Sequence, residues 1–337
     1  MQHSPTIPQH LESDVRMYSQ LALANSTRKT YSSGEKQFLL FCLRNSTAAP
    51  SLDDILPASP NTLMAFAAEL ARTCKYHTIK NYLSAVRNLH LENGHPDPTT
   101  NNFGLDRVLQ GIKRHKGTAK RTRFPITLEI LTSIKPFLFL THNRRDATML
   151  WASFTLAFFG FLRCSEFTCP TQKTFQPQKH LCSSDVSFLP DLASPTYIEV
   201  RIKHSKTDQY GQGATLSIAT SDSPICAVQA LKEYITICNP QANQPLFRFA
   251  SGKFLTLPLV TSTLRQCLKY LNVSSEKYAS HSFRIGAATT AAEKGIPPWL
   301  IKVLGRWESD CFSIYIATPK NVLLSVAPRM ATGSSFN

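Results

Sequence analysis

Four separated stretches of the 337-residue chain carry side chains suited to holding and cutting a phosphodiester. In GFLRCSEF, the Arg163 guanidinium can grip two non-bridging phosphate oxygens at once, and Glu166, one helical turn on, can fix its orientation. Taken singly, Arg163 serves equally well as a cation offsetting a helix C-terminus. In KHSKTDQ, Lys206 is a compact cation that can give a proton to a departing oxygen, with Lys203 a rival for the same role. In HSFR, His281 and Arg284 stand at i, i+3 and share one face of any helix that begins at or before His281; imidazole moves protons near neutral pH, and a second arginine doubles the positive field. In LGRWESDCFSIYI, the Trp307 indole N–H is a pure donor. The Tyr315 phenol becomes a nucleophile if neighbouring cations depress its pKa from about 10. Each group alone also fits a bland role, such as a core tryptophan or a surface lysine.

The elements that must position these groups follow from periodicity. From Ser26 to about Ile112 apolar residues recur at i, i+3, i+4, with Tyr31, Phe38, Phe41 and Cys42 on one stripe and Tyr82, Val86 and Leu89 on another. Ser26, Ser59 before Pro60, and Thr78 mark helix starts, which predicts a small all-helical bundle over 1–112. KRHKGTAKRTR then packs six cations and no acid into eleven positions, a basic linker over 113–124 whose Lys113, Arg114, Lys116, Lys120, Arg121 and Arg123 are candidate DNA contacts. A nuclear-localisation tract or a solvated tether would have the same composition. Beyond Pro125, over 125–337, the pattern is mixed. Helices are expected at Leu128–Phe137, Arg144–Phe161, Ile225–Ile237, Val260–Leu271, Phe283–Lys294, Pro298–Leu304 and around Asp310–Ile316. TYIEVRIKH and ATLSIAT alternate as strands, with Ile198, Val200 and Ile202 on one side and hairpin chemistry between them. The fold class is therefore mainly α with a small antiparallel sheet.

Composition narrows the partner. Lys and Arg number 37 against 22 Asp and Glu, a formal charge of +15, which favours a polyanion such as nucleic acid, although a solvated basic surface would give the same balance. Nine cysteines lack any CxxC pair or Cys/His cluster, so neither a disulfide framework nor a zinc module is expected, and a reducing compartment fits. The first residues, MQHSPTIPQHLESD, lack the apolar core of a secretory signal. The apolar run Ala147–Leu162 falls short of the roughly 20 residues of a membrane span and is expected as a buried helix.

Arg, Lys, His-x-x-Arg, Trp and Tyr, in that order across a basic two-module chain, resemble the tyrosine recombinase (phage integrase-like) superfamily. The likeness implies an N-terminal SAM-like core-binding module and a catalytic module that close on DNA as a C-shaped clamp. It further implies that Arg163 and Arg284 bind the scissile phosphate, supported by Glu166, and that Lys206 protonates the 5′-hydroxyl leaving group. His281 would transfer protons, Trp307 would donate to a non-bridging oxygen, and Tyr315 would become the 3′-phosphotyrosine. Trp307 stands where many members have histidine, and the eight residues from it to Tyr315 are one fewer than is commonest. The form GRW-x-SD-x-F-x-x-Y resembles integrases of eukaryotic mobile elements of the Crypton and DIRS type, which would place the protein in the nucleus; a chain from another source would be cytoplasmic.

Transesterification conserves the energy of the phosphodiester, and the cations present can stabilise the developing charge, so no metal and no cofactor is expected. Four protomers on DNA would complete a recombination. The segment after Tyr315, which includes Asn321, Val322, Leu323, Leu324 and Val326, is too apolar for a free tail and would dock on a neighbouring subunit or on its own domain. Two alternatives remain open at this level: a type IB topoisomerase with nearly the same groups, and a domesticated DNA-binding protein that has lost cleavage.

Overall fold

Ser59 turns the chain into a helix by accepting the Thr62 N–H at 3.1 Å, with Pro60 in the first turn where its missing N–H costs nothing. In the computed structural model, which describes residues 8–46, 50–118, 123–206, 208, 211–316, 324, 327–328 and 331, this is α4 (Pro60–Thr73), one of six helices in a first unit that extends to Lys120. The others are α1 (Gln9–Leu21), α2 (Asn25–Asn45), α3 (Leu52–Ile55), α5 (Tyr76–Glu92) and α6 (Phe103–Lys116). Phe38, Phe41, Leu63, Phe66, Ile79, Val86 and Leu105 form its core.

Three boundaries in this unit differ from the periodicity reading. Thr78 lies inside α5, which begins at Tyr76 with Lys75 as its cap. Ser26 lies inside α2, whose cap is Ala24, and α6 continues through Lys113, Arg114 and Lys116, so the first cations assigned to the linker belong to its last turn. There they face the negative end of the helix dipole, which favours continuing the helix. Lys120 and Arg121 lie outside the described residues.

The second unit, Arg121–Asn337, is built around α8 (Arg144–Phe159). Every residue of α8 from Ala147 to Phe158 is buried, as befits a helix apolar on all sides. Packed about it are α7 (Leu128–Thr141), α10 (Ala227–Cys238) and α12 (Ser282–Glu293), with α11 (Leu257–Tyr270) against α7. A three-stranded antiparallel sheet runs in the order β1 (Val186–Leu189), β2 (Tyr197–Ile202), β3 (Ala214–Ala219). In β2 the alternation holds: Ile198, Val200 and Ile202 are buried while Arg201 is exposed. The β2–β3 hairpin is closed by Asp208, whose carboxylate accepts the N–H groups of Gln212 at 2.9 Å and Gly213 at 2.7 Å.

The chain enters this unit as an extended segment on the start of α12, with Phe124 N–H donating to the Lys277 carbonyl and Ile126 N–H to the Ser282 carbonyl, both at 3.0 Å. Gly286 makes that approach possible, because a Cβ there would stand 1.9 Å from the Ile126 carbonyl oxygen. After α12 come α13 (Pro298–Gly305) and a 3-10 turn, Asp310–Tyr315, packed on both helices through Phe312 and the Lys302–Asp310 ion pair at 2.9 Å. No described helix is long and apolar enough to cross a membrane.

Candidate active site

The first arginine is placed by a turn rather than by a helix. At the end of α8 the chain reverses at Phe161, which takes the left-handed conformation (φ +50°). Phe161 N–H bonds to Phe158 O and Leu162 N–H to Ala157 O, a Schellman motif that satisfies the last carbonyls. Such a turn normally carries glycine, and an L side chain there costs on the order of 1–2 kcal/mol. Two residues on, Arg163 precedes α9 (Cys164–Phe167), and Glu166 folds back on it. The carboxylate accepts Arg163 N–H at 2.8 Å and Arg163 Nη1 at 2.9 Å, so the i, i+3 pairing expected from sequence is present.

The Glu166 side chain is wholly buried and has a second cationic partner, Arg306, whose Nη2 donates to Oε2 at 2.7 Å. Arg306 also donates to the Gly160 carbonyl at 3.2 Å. Its backbone repeats the geometry of Phe161: φ is +52°, Arg306 N–H bonds to Val303 O, and Trp307 N–H to Lys302 O. Burial draws its pKa below the ordinary value against the opposing pull of Glu166. Nothing local in the LGRW stretch marks this residue, since its left-handed turn lacks glycine and its partner Glu166 is 140 positions away.

Arg284, on α12, is fully buried, with Nη1 donating to the Phe161 carbonyl and Nη2 to the Gly305 carbonyl. The Trp307 ring lies under its guanidinium at 4.1 Å and edge-on to Phe161 at 6.4 Å. Gly305 supplies the space, since a Cβ there would fall 1.6 Å from the indole. Trp307 is thus both a core residue, packed with Ile301 and Phe312, and the platform under the second arginine.

His281 caps α12 at its N-terminus, so it and Arg284 do leave one end of one helix. Burial first, then the charges of Arg284, Arg163, Arg123 and Lys206, hold its pKa down at about 4. Four cations from four separate segments therefore act on one imidazole. Lys206 is exposed in the hairpin, whereas Lys203 is half-buried and paired to Asp185 at 2.5 Å, which separates the two rival lysines. Arg123 donates to the Glu276 carbonyl at 3.1 Å beside this cluster. Tyr315 ends the 3-10 turn that packs on α12 and α13; its side chain lies outside the described residues, as do most of the residues after Ile316. Leu324, which is described, is exposed. Among the described residues no His, Cys, Asp or Glu groups are arranged to hold a metal ion.

No family model matches the chain. An integrase/recombinase xerD homolog of Selenomonas ruminantium is 25% identical over 298 residues, which span 85% of this chain and 80% of the relative. Among solved structures, the XerH site-specific recombinase bound to palindromic difH substrate in a post-cleavage complex superposes with a TM-score of 0.64 at 16% identity, over 90% of this chain and 79% of that one. A lambda integrase dimer bound to a COC′ core site gives 0.57 at 16%, over 90% and 76%. The Tn1549 transposon integrase in complex with transposon right end DNA gives 0.57 at 15%, over 94% and 98%. The structural likenesses establish the fold, which is that of tyrosine recombinases and integrases, and the sequence likeness to an integrase/recombinase runs over most of the chain.

Proposed function

We propose that this protein cleaves and rejoins double-stranded DNA in site-specific recombination through a 3′-phosphotyrosine intermediate. The observation that carries the reading is that the turn after α8 brings Arg163, held on Glu166, and Arg284, bonded to the Phe161 carbonyl over Trp307, to the end of α12 where His281 stands, with the charges of Arg163, Arg284, Arg123 and Lys206 acting on its imidazole. The Tyr315 oxygen attacks phosphorus, His281 accepts the phenolic proton, and the bond to the 5′ oxygen breaks as Lys206 protonates it. Rejoining runs the same steps backwards, with the 5′ hydroxyl displacing the tyrosine, so no nucleotide is consumed.

The finer reading is an integrase of a eukaryotic mobile element of the Crypton or DIRS type, acting in the nucleus as four protomers on two duplexes; the GRW-x-SD-x-F-x-x-Y form supports it. Nicked duplexes that release the cleaved end should trap a covalent adduct, and Tyr315→Phe should abolish the adduct while DNA affinity is kept. Binding without an adduct on a broad duplex library would leave a DNA-binding protein instead, and supercoil relaxation without strand exchange would leave a topoisomerase.

A further inference from the structure

Left-handed backbone at a side chain other than glycine occurs at five described positions: Asn101, Phe161, Asn239, Asn272 and Arg306. Three are asparagine, which tolerates that conformation through its short polar side chain. The two exceptions end α8 and α13, and they are tied to each other: Arg306 reaches the Gly160 and Phe161 carbonyls, and Arg284 reaches the Phe161 and Gly305 carbonyls. A glycine at 306 would close the same turn without backbone cost. The arginine is therefore retained for its side chain, and that side chain ends on Glu166.

Glu166 explains what the side chain is for. One oxygen holds Arg163 Nη1, and the other holds both Arg163 N–H and Arg306 Nη2. Arg163 holds Oε1 through Nη1 and Oε2 through its N–H, and Arg306 Nη2 adds a charged donor to Oε2 from a separate segment, which tightens the hold on the carboxylate and so on the guanidinium. The Arg306 Nε is buried without a hydrogen-bond partner, so the residue accepts an unpaired donor as well as a strained backbone in order to make this contact. We propose that Arg306 is a positioning residue of the phosphate site, clamping Glu166 so that Glu166 aims Arg163. Its consequence for catalysis rests on the recombination reading above, but the positioning itself does not.

Arg306→Gly, Arg306→Ala and Arg306→Lys in the full chain test it at two levels. Without DNA, the His281 titration is followed by NMR on protein labelled at histidine. Freeing Arg163 removes one of the cations on the imidazole, so the midpoint should rise in both the Gly and Ala variants and less in Arg306→Lys. An unchanged midpoint in Arg306→Gly overturns the proposal. With nicked duplex, adduct formation should slow about 10²-fold in the Gly and Ala variants alike, although glycine suits the turn better, and DNA affinity should stay within about threefold. Arg163→Ala combined with Arg306→Gly should be no slower than Arg163→Ala alone, since both act through one guanidinium. Losses that multiply, or an Arg306→Gly protein as fast as wild type, overturn the proposal by making Arg306 an independent contact or a helix cap. A wild-type chain that forms no adduct on any duplex, with His281 responding as expected, would sink the recombination reading and leave the clamp standing.

Discussion

His281 is an uncharged imidazole at neutral pH because burial and four surrounding cations oppose its protonation. A phosphate placed among those cations offsets part of their charge and makes protonation easier. DNA binding should therefore raise the His281 pKa above about 4, and the complex should take up a proton between the free and bound values. The expected outcome is affinity that strengthens as pH falls from about 6.5 toward 4, with the pH dependence weakened in His281→Gln. Proton uptake measured calorimetrically in buffers of different ionisation enthalpy checks it, and no uptake in the wild type would place the phosphate elsewhere. In free protein the same depressed pKa works the other way. The stability it supports is present above about 6.5, the unfolded value, and is lost as pH drops toward 4, so acid both loosens the free site and favours the bound one.

The elements show which parts of this arrangement are legible in a linear sequence. The i, i+3 spacings of Arg163 with Glu166 and of His281 with Arg284 are local, and both came through because one turn of chain fixes them. Arg306 did not, since its partner Glu166 is 140 positions away and its turn lacks the glycine that usually marks one. Helices with one apolar stripe, or apolar all round as in α8, were readable. Helix α1 has the same signal in weaker form, with Leu11, Val15 and Tyr18 at i, i+4 and i+7 in an otherwise polar segment, whereas β1 gives none because its four residues are only half-buried or exposed. Close approaches are equally invisible, and Gly286 is the sharpest case. Gly286→Ala should push the Ile126 carbonyl and the entering segment off α12, destabilising the second unit by roughly 1–3 kcal/mol. Thermal unfolding should show a melting temperature several degrees lower, and an unchanged one would mean that the segment yields without cost. In the first unit His90 is the comparable hidden feature: it is fully buried, Nε2 accepts the Ala58 N–H at 2.9 Å, and Nδ1 meets the Val86 carbonyl at 2.7 Å. Burial lowers its pKa, so this unit too should lose stability as pH falls below about 6.5, and His90→Gln should flatten that dependence in denaturant titrations.

Across the whole molecule the excess of fifteen positive charges belongs to both units, each of which has its own buried core. The cluster around His281 uses only a few of these charges, and the last turn of α6 carries another group: Lys113, Arg114 and Lys116. These cations stabilise the end of their helix whether or not DNA is bound, and Lys116 also donates to the Cys74 carbonyl at 3.1 Å, so their presence alone does not make them DNA contacts. Salt dependence separates the two roles. Each cation that neutralises a phosphate releases a condensed counterion, and replacing it should make the slope of log affinity against log salt shallower by about one. Changing all three to glutamine should therefore cut the slope by about three if all touch DNA, and weaken binding to every sequence alike, since phosphate contacts carry no base information. A slope unchanged from wild type, with a lowered melting temperature, would assign them wholly to the helix. An intermediate loss of about two would mean that one of the three stays with the protein, and Lys116→Gln alone, expected to leave the slope unchanged because Lys116 is already engaged with Cys74, would identify it.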